Sequence, residues 1–313
     1  MSEESTFRSG FVSIVGRPNA GKSTLLNAMV GDKVAIISDK PQTTRTAIQG
    51  VVTLPQAQLI FIDTPGIHDA KTLINERMME SVRAALDGRD LVLFLVDCSV
   101  PLQEQDEKAV ELVRVLHTPV FLVLNKIDRV QNKQDLLPRL ERYRAMFEFA
   151  EYFSISAMTG EGLPELRDAI IARLPEGPRY FPADYLTDQP ERFIAAELIR
   201  ERILHETRQE VPHSVAVIVE KWEDTPRLVR INATIYVERS GQKAIIIGAK
   251  GALLKTIGTA ARQEIETLLS KKVFLELFVK VRPAWRESSQ FLDAIDWRSM
   301  HGGQLEVDPE NNS

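Results

Sequence analysis

The chain has 313 residues, enough for two domains of ordinary size, each with its own core. With 44% hydrophobic and 27% charged residues it reads as folded and globular, and a net charge of -5 excludes a general pull towards nucleic acid or acidic lipid. A single cysteine, Cys98, excludes an internal disulfide and a cysteine-based metal cluster, and the 5 histidines show no metal-site spacing. The start, MSEESTFRSG, is polar, and no run reaches the ~18 uncharged apolar residues of a membrane span. The expectation is a cytoplasmic protein in which any nucleic-acid site is a local patch.

Residues 7–15, FRSGFVSIV, predict a strand that runs at once into Gly16-Arg17-Pro18-Asn19-Ala20-Gly21-Lys22-Ser23, followed by a helix start at Thr24. This is G-x-x-x-x-G-K-[ST] in strand–loop–helix context, a phosphate-binding loop. Glycines let the backbone N–H groups curl around phosphate oxygens, and the helix N-terminus adds its dipole. Lys22 can reach the β- and γ-phosphates and Ser23 can offer a hydroxyl to Mg2+. Next, LIFIDTPG is an apolar strand ending in Asp63, a carboxylate suited to Mg2+, with Gly66 able to bring its N–H close to a γ-phosphate.

Two further apolar runs, 90–97 and 119–128, alternate with helical stretches near 72–87 and 103–116, which predicts a covered, mainly parallel sheet. Cys98, at the end of the first run, reads as a buried structural thiol. The second run ends in Asn125-Lys126-Ile127-Asp128. A carboxylate at Asp128 can accept from N1–H and the exocyclic amine of guanine, whereas adenine leaves it unpaired. Asn125 can tie this loop to the phosphate loop, and the stem of Lys126 can cover the base. NKID alone fits an ordinary helix entry equally well; its place after a strand and downstream of GRPNAGKS and DTPG gives it meaning. A further strand, EYFSISAMTG, delivers Ser156-Ala157-Met158, where a backbone N–H can meet the guanine O6.

Three prolines and a glycine between 175 and 182 mark a linker. Beyond it, Phe193, Ile194, Leu198, Ile199 and Ile203 form a helical stripe. Strands follow at 214–223 and 228–238, the second with Ile231, Ala233, Ile235 and Val237 on one face. Ser240-Gly241-Gln242 reads as a turn, KAIIIG as a short third element, and the stretch from Ala249 as a helix with Leu254, Ile257, Ala261, Ile265 and Leu268 inward. A last strand carries Val273, Leu275, Leu277 and Val279 on one face. Between these elements lies Gly248-Ala249-Lys250-Gly251. It lacks the length and the Gly-Lys-Ser ending of a second phosphate loop. The spacing alone fits a bare turn as well as a clamp in which small residues let a polynucleotide backbone approach; the surrounding strands and helices favour the KH-type clamp. Lys250 then faces a phosphate, with Lys255 a turn further on. From 248 to 282 seven basic residues stand against Glu264, Glu266 and Glu276, a local excess of +4.

GRPNAGKS, the threonine of KPQTTRT, DTPG, NKID and SAM resemble the five signature elements of the translation-factor-related GTPases, and with the second half the chain is similar to the Era family from about 7 to 286. The fold this implies is an α/β P-loop GTPase domain with a mainly parallel sheet, then a smaller α+β KH-type (type II) domain. The divisions are 7–175 for the GTPase domain, 176–190 for the linker, 191–286 for the KH domain and 287–313 for a C-terminal extension and acidic tail. The resemblance implies GTP or GDP held by Asn19, Ala20, Gly21, Lys22, Ser23, Thr24, Asp63, Gly66, Asn125, Lys126, Asp128, Ser156, Ala157 and Met158. It implies Mg2+ on Ser23, Asp63 and the switch threonine, placed on Thr44 with Thr43 as the alternative, and switches around 33–47 and 64–80. Ile67 stands where Ras-like proteins place a water-orienting glutamine and has no acceptor, so turnover is expected to be slow, resting on Lys22, Thr44, Gly66 and Asn19. Asn19 could ligate K+, which makes K+ stimulation an expectation. His68 reads as an exposed loop histidine. RNA contacts fall to Gly248, Ala249, Lys250, Gly251 and Lys255, and residues past the last strand help hold RNA. The implied partners are the 3' region of 16S ribosomal RNA and the 30S subunit, whose assembly the protein assists as a monomer, with peripheral association with the inner membrane. The competing reading is a membrane-associated GTPase scaffold or cell-cycle regulator in which RNA binding is secondary.

Overall fold

The computed structural model describes residues 6–40, 42–67, 72–207 and 211–298. The chain divides into two compact units, 1–71 with 75–188 and 72–74 with 189–313. In the first unit the elements are β1 (Arg8–Val15), α1 (Lys22–Val30), β2 (Ile48–Thr53), β3 (Ala57–Asp63), α2 (Leu73–Leu86), β4 (Leu91–Asp97), α3 (Glu104–Arg114), β5 (Val120–Asn125), α4 (Leu136–Met146), β6 (Glu151–Ser154) and α5 (Leu163–Arg173). They build a sheet of order β2-β3-β1-β4-β5-β6, antiparallel only between β2 and β3.

The apolar runs are continuous because both faces are covered. Leu91, Leu93 and Leu95 pack with Leu25 and Leu26 of α1 and Leu166 and Ile170 of α5. Val92, Phe94 and Val96 pack on the other face with Val82 of α2, Val110 and Val113 of α3, and Tyr143 of α4. β2 and α4 escape the sequence reading. β2 directly follows the expected switch segment 33–47, and α4, although six of its eleven residues are apolar, buries only Tyr143.

The segment 176–190, read as a linker, is bound to the first unit through residue 187. Gly177 N donates to Phe7 O at 3.1 Å, and Tyr180 N and Phe181 N donate to Gln58 Oε1 at 2.8 and 3.0 Å. Val51 N reaches Leu186 O at 2.8 Å, and Phe181 stacks on Tyr185 with centroids 4.8 Å apart. The prolines keep this stretch extended, and buried Gln58 supplies the hydrogen bonds that an extended segment cannot make within itself.

The second unit contains α6 (Glu191–Glu206), β7 (Ala216–Asp224), β8 (Leu228–Val237), α7 (Ser240–Ile247), α8 (Ala252–Leu269), β9 (Lys272–Val281) and α9 (Ser289–Ile295). Its sheet has order β7-β8-β9, antiparallel then parallel. The α6 stripe and the β8 face from Ile231 to Val237 are buried as the periodicity predicts, together with Ile257, Ala261 and Ile265 of α8. Leu268 differs, lying 37% exposed at the outer end of α8. Ser240-Gly241-Gln242 is not a turn but the first turn of α7. Gln242 Oε1 accepts from Glu238 N and Arg239 N, both at 3.0 Å, and this box starts a helix where the glycine suggested a bend. Among the described residues no single helix is long and apolar enough to cross a membrane.

Candidate functional site

Five parallel strands, β1, β3, β4, β5 and β6, end at one edge of the first sheet, and each hands the chain to a loop carrying polar side chains. Register places Ile14 of β1 opposite Asp63 of β3, and Asp97 of β4 opposite Asn125 of β5. The loop after β1 curls through Asn19 at φ 63 and Gly21 at φ 100. Gly21 is required twice, for its left-handed backbone and because a Cβ there would run into Asn125 Nδ2. No side chain caps α1, so the N–H groups of its first turn are available to an anion in the cleft.

Lys22 is buried, with Nζ donating to Gly16 O and Arg17 O at 3.1 Å. Burial lowers its pKa to about 8, with Asp63 opposing and Arg17 adding to the shift. Asp63, 0% exposed, is raised to about 6 by burial against the pull of Lys22 and hydrogen bonds from Ser23, Thr44 and the Thr64 backbone. Both shifts come from charged groups buried at the floor of the cleft, an arrangement suited to a ligand bringing charges of its own.

Three hard oxygens converge here. Ser23 Oγ donates to Asp63 Oδ2 at 2.6 Å and lies 2.9 Å from Thr44 Oγ1, which itself lies 3.4 Å from Asp63 Oδ2. Thr43 points elsewhere, donating to Lys40 O at 2.6 Å. Asp63 Oδ1 is buried without a hydrogen-bond partner, an orphan that a cation would satisfy. Two hydroxyls and a carboxylate are the donors Mg2+ prefers, and the residues fit it. Gly66 packs on the phosphate loop, where a Cβ would stand 2.9 Å from Pro18 Cα. Ile67 turns away, 5% exposed among Val15, Met79, Val82 and Val96, and offers nothing to a water molecule. His68 lies outside the described residues. Asn19 donates through Nδ2 to Asp39 O at 2.7 Å, tying the phosphate loop to the following switch segment.

The far wall is the expected base loop. Asn125, 2% exposed, donates to Ala20 O at 2.8 Å and accepts from Ala157 N at 3.0 Å, so one amide spans the phosphate loop and the Ser156-Ala157-Met158 loop. Lys126 stands at φ 67 with Nζ donating to Asn19 O at 2.6 Å. Asp128 opens to the cleft and is oriented by Ser156 Oγ, which donates to Oδ1 at 2.6 Å. Thr24 and Met158 also line the cleft, Met158 with 69% exposure. Cys98 is buried, donates to Asn125 O at 2.8 Å, and is pushed up to about 11 by burial. Sequence reasoning passed over a charged cluster beneath this wall: Arg17, Asp97 and Asp106. A signal existed in DLVLFLVD, which ends in an acid at the carboxyl edge of a core strand just as LIFID does.

The second unit carries the other candidate surface. Gly248 (φ 70), Lys250 (φ 52) and Gly251 (φ 80) make a tight turn between α7 and α8. Nothing lies within 4 Å of a Cβ built on Gly251, so its backbone is open to approach, whereas one on Gly248 would press on Leu253 Cβ at 2.8 Å. Ala249, Lys250 and Lys255 are exposed. The +4 excess shrinks in three dimensions, because acids outside the counted window pair with its distal members: Lys271 with Asp224 at 2.8 Å and Lys280 with Glu220 at 3.7 Å. Arg262 pairs with Glu266 at 3.0 Å, concentrating positive charge around Lys250 and Lys255. Of the apolar residues around the turn, Ile257 is core, Ile247, Leu253 and Leu254 are half-buried, and Ile245 is 43% exposed.

Past β9, Trp285 is 0% exposed and donates to Ser214 O at 2.9 Å, and Phe291 packs on Tyr236 with centroids 5.0 Å apart. This stretch, read as helping to hold RNA, is in large part core of the second unit. The tail from 299 lies outside the described residues.

Comparison with known proteins agrees with this arrangement. Residues 11–126 match the family described as 50S ribosome-binding GTPase, and residues 210–286 match the KH domain. GTPase Era of Geobacter metallireducens is 51% identical over 296 residues, which is 94% of this chain and 99% of that protein. The chain belongs to the Era family of GTPases. GTPase Era of Leuconostoc citreum is 50% identical over 298 residues, 94% of this chain and 98% of that one. Among solved structures, an Aquifex aeolicus Era variant bound to GDP.AlF4- superposes with a TM-score of 0.90 at 40% identity, covering 93% of this chain and 99% of that chain. An Era in complex with MgGDPNP and nucleotides 1506–1542 of 16S ribosomal RNA gives 0.90 at 41% identity with the same coverage. Both units of this Era-family chain therefore have counterparts in a single protein.

Proposed function

We propose that this Era-family GTPase is a GTP-hydrolysing switch that binds single-stranded RNA at its Gly248–Gly251 turn, near the 3' end of 16S ribosomal RNA, and assists 30S subunit assembly. The observation that carries the reading is the presence in one chain of two sites, a cleft built for guanine and phosphates and an open GxxG turn flanked by exposed lysines. The similar Era bound to 16S ribosomal RNA nucleotides supports the choice of RNA.

In this reading Gly21, Lys22, Ser23 and Thr24 present N–H groups and an ammonium to the phosphates, and Ala20 is held in line by Asn125. Asp128 accepts from guanine N1–H and the exocyclic amine, a backbone N–H of the 156–158 loop meets the O6, and Met158 and the Lys126 stem flank the base. Ser23, Thr44 and Asp63 hold Mg2+, which when bound neutralises charge on the β- and γ-phosphate oxygens. Gly66 brings its N–H to the γ-phosphate, so loss of that phosphate releases Thr44 and Gly66 together. With Ile67 in the core, its side chain does not orient the attacking water, and turnover is slow. Asn19 is the residue to carry K+; equal GTP hydrolysis rates in K+ and Na+ would remove that assignment. This reading takes the protein to be cytoplasmic, where GTP and ribosomal RNA are found.

Filter binding of short single-stranded RNA tests the clamp, using Lys250→Glu with Gly251→Asp. Gly248 is left intact because a side chain there would disturb Leu253. A loss of about tenfold or more is expected for two reversed or blocked backbone contacts. Unchanged binding by the folded variant sinks the assignment.

A further inference from the structure

Asp97 closes β4 and has no part in the reading above, yet three segments meet on its carboxylate, which is 9% exposed. Lys126 Nζ lies 2.7 Å from Oδ2 while also donating to Asn19 O at 2.6 Å. Arg17 Nη2 stands 3.6 Å from the same oxygen. Its Nε lies 3.3 Å from Asp106 Oδ1, and its Nη1 donates to Gln103 Oε1 at 3.2 Å. Ser99 supplies N–H and Oγ–H to Oδ1 at 2.9 and 2.5 Å. Both carboxylate oxygens are thus engaged and their plane is fixed. Burial opposes the charge, but the hydrogen bonds from Lys126 and Ser99 hold Asp97 below the usual carboxylate range.

A lysine side chain is flexible and keeps a single rotamer only when its ammonium is anchored. Here two acceptors anchor it, one on the phosphate loop and one on β4, and the stem between them runs along the cleft. We propose that Asp97 is a positioning residue for guanine-nucleotide binding. It pins Lys126 so that the stem forms a fixed wall of the base site, and it ties that wall to the phosphate loop through Arg17. This rests on reading 125–128 as the base loop. Because Asp97 acts through Lys126 and not on the base edge, it governs how long nucleotide stays bound and leaves the choice between guanine and hypoxanthine to Asp128.

The test uses the full chain, with dissociation of a fluorescent GDP followed by stopped flow and GTP hydrolysis measured at steady state. Asp97→Asn removes a charge-assisted contact, and GDP should leave about tenfold faster. KM should rise with kcat within about twofold, the pattern of lost uniform binding. The affinity ratio of GDP to IDP should stay as in the wild type. Lys126→Ala should also speed release about tenfold in the wild type, but add less than about twofold on top of Asp97→Asn, since the two act as one unit. Ser99→Ala, a change the fold tolerates readily, should speed release about threefold by freeing the carboxylate. Asp97→Glu should restore most of the wild-type residence time.

Release within twofold of wild type for both Asp97→Asn and Ser99→Ala overturns the proposal, as does full multiplication of the Asp97 and Lys126 effects. If Asp97→Asn does not fold, Ser99→Ala and Asp97→Glu decide. Asp128→Ala separates the two layers. If it leaves the GDP to IDP ratio unchanged, the base-loop reading itself fails. If it abolishes the preference while the Asp97 variants are silent, only the positioning role fails.

Discussion

Replacing Asn125 by alanine probes the hydrogen-bond bridge across the nucleotide cleft. Asn125 is 2% exposed and satisfies two backbone groups that are themselves buried, Ala20 O at 2.8 Å and Ala157 N at 3.0 Å. The methyl group of alanine can do neither. Each orphaned buried group costs about 1–3 kcal/mol, giving roughly 2–6 kcal/mol for the pair, with about 3 kcal/mol as the central expectation. In a unit of this size that lowers the melting temperature by about 6–12 °C. The assay is thermal unfolding by far-ultraviolet circular dichroism, in EDTA and without nucleotide so that ligand binding does not mask the change. Tryptophan fluorescence cannot replace it, because Trp222, Trp285 and Trp297 all lie in the second unit. Asn125→Asp makes the comparison sharper. It keeps an acceptor for Ala157 N–H but turns a carboxylate oxygen on Ala20 O, and should be at least as destabilising. A melting temperature within about 1 °C of wild type for Asn125→Ala, less than the loss of even one buried hydrogen bond, would refute this account of the cleft.

Thr44→Ala should reduce Mg2+-dependent GTP hydrolysis by about tenfold or more, whereas Thr43→Ala should stay within about threefold, since only Thr44 reaches Ser23 and Asp63. Equal effects of the two substitutions in a multiple-turnover phosphate-release assay would undo the distinction. Cys98, the single cysteine, should react with a thiol reagent at pH 8 at least about 100-fold more slowly in the native protein than in urea, because its pKa near 11 leaves that much less thiolate. The sign for stability follows from the same shift. The folded state keeps the thiol proton that the unfolded chain loses near 9, so the Cys98 contribution is present below pH 9 and is lost as pH rises towards 11. Replacing Cys98 with alanine should flatten that part of the stability profile in urea titrations; an unchanged slope between pH 9 and 11 counts against it.

Much of the nucleotide cleft was legible in the residue order. Gly16–Ser23, Asp63, Gly66 and Asn125–Asp128 each follow an apolar run, and parallel strands with one-way crossovers must deliver such loops to the same edge. Local chemistry also marked the turn at Gly248–Gly251, because its two glycines take positive φ without strain. Other features depended on contacts between residues far apart in the chain. Thr43 and Thr44 are adjacent and chemically identical, and only the fold shows which hydroxyl meets Asp63, 19 residues from Thr44. The apparent linker became part of the first unit through residues far upstream, buried Gln58 among them, about 120 residues away. The charge excess counted around the KH turn shrank because Asp224 and Glu220, which pair with Lys271 and Lys280, lie outside the 248–282 window. The pairing of Asp97 was hidden for the same reason: its position at the end of DLVLFLVD is marked in the sequence, but its partners Arg17 and Lys126 come from two other loops. Hydrophobic periodicity and loop motifs are local and survive in the sequence. Pairing among charges and amides is decided by distance in space, which only the packed sheet supplies.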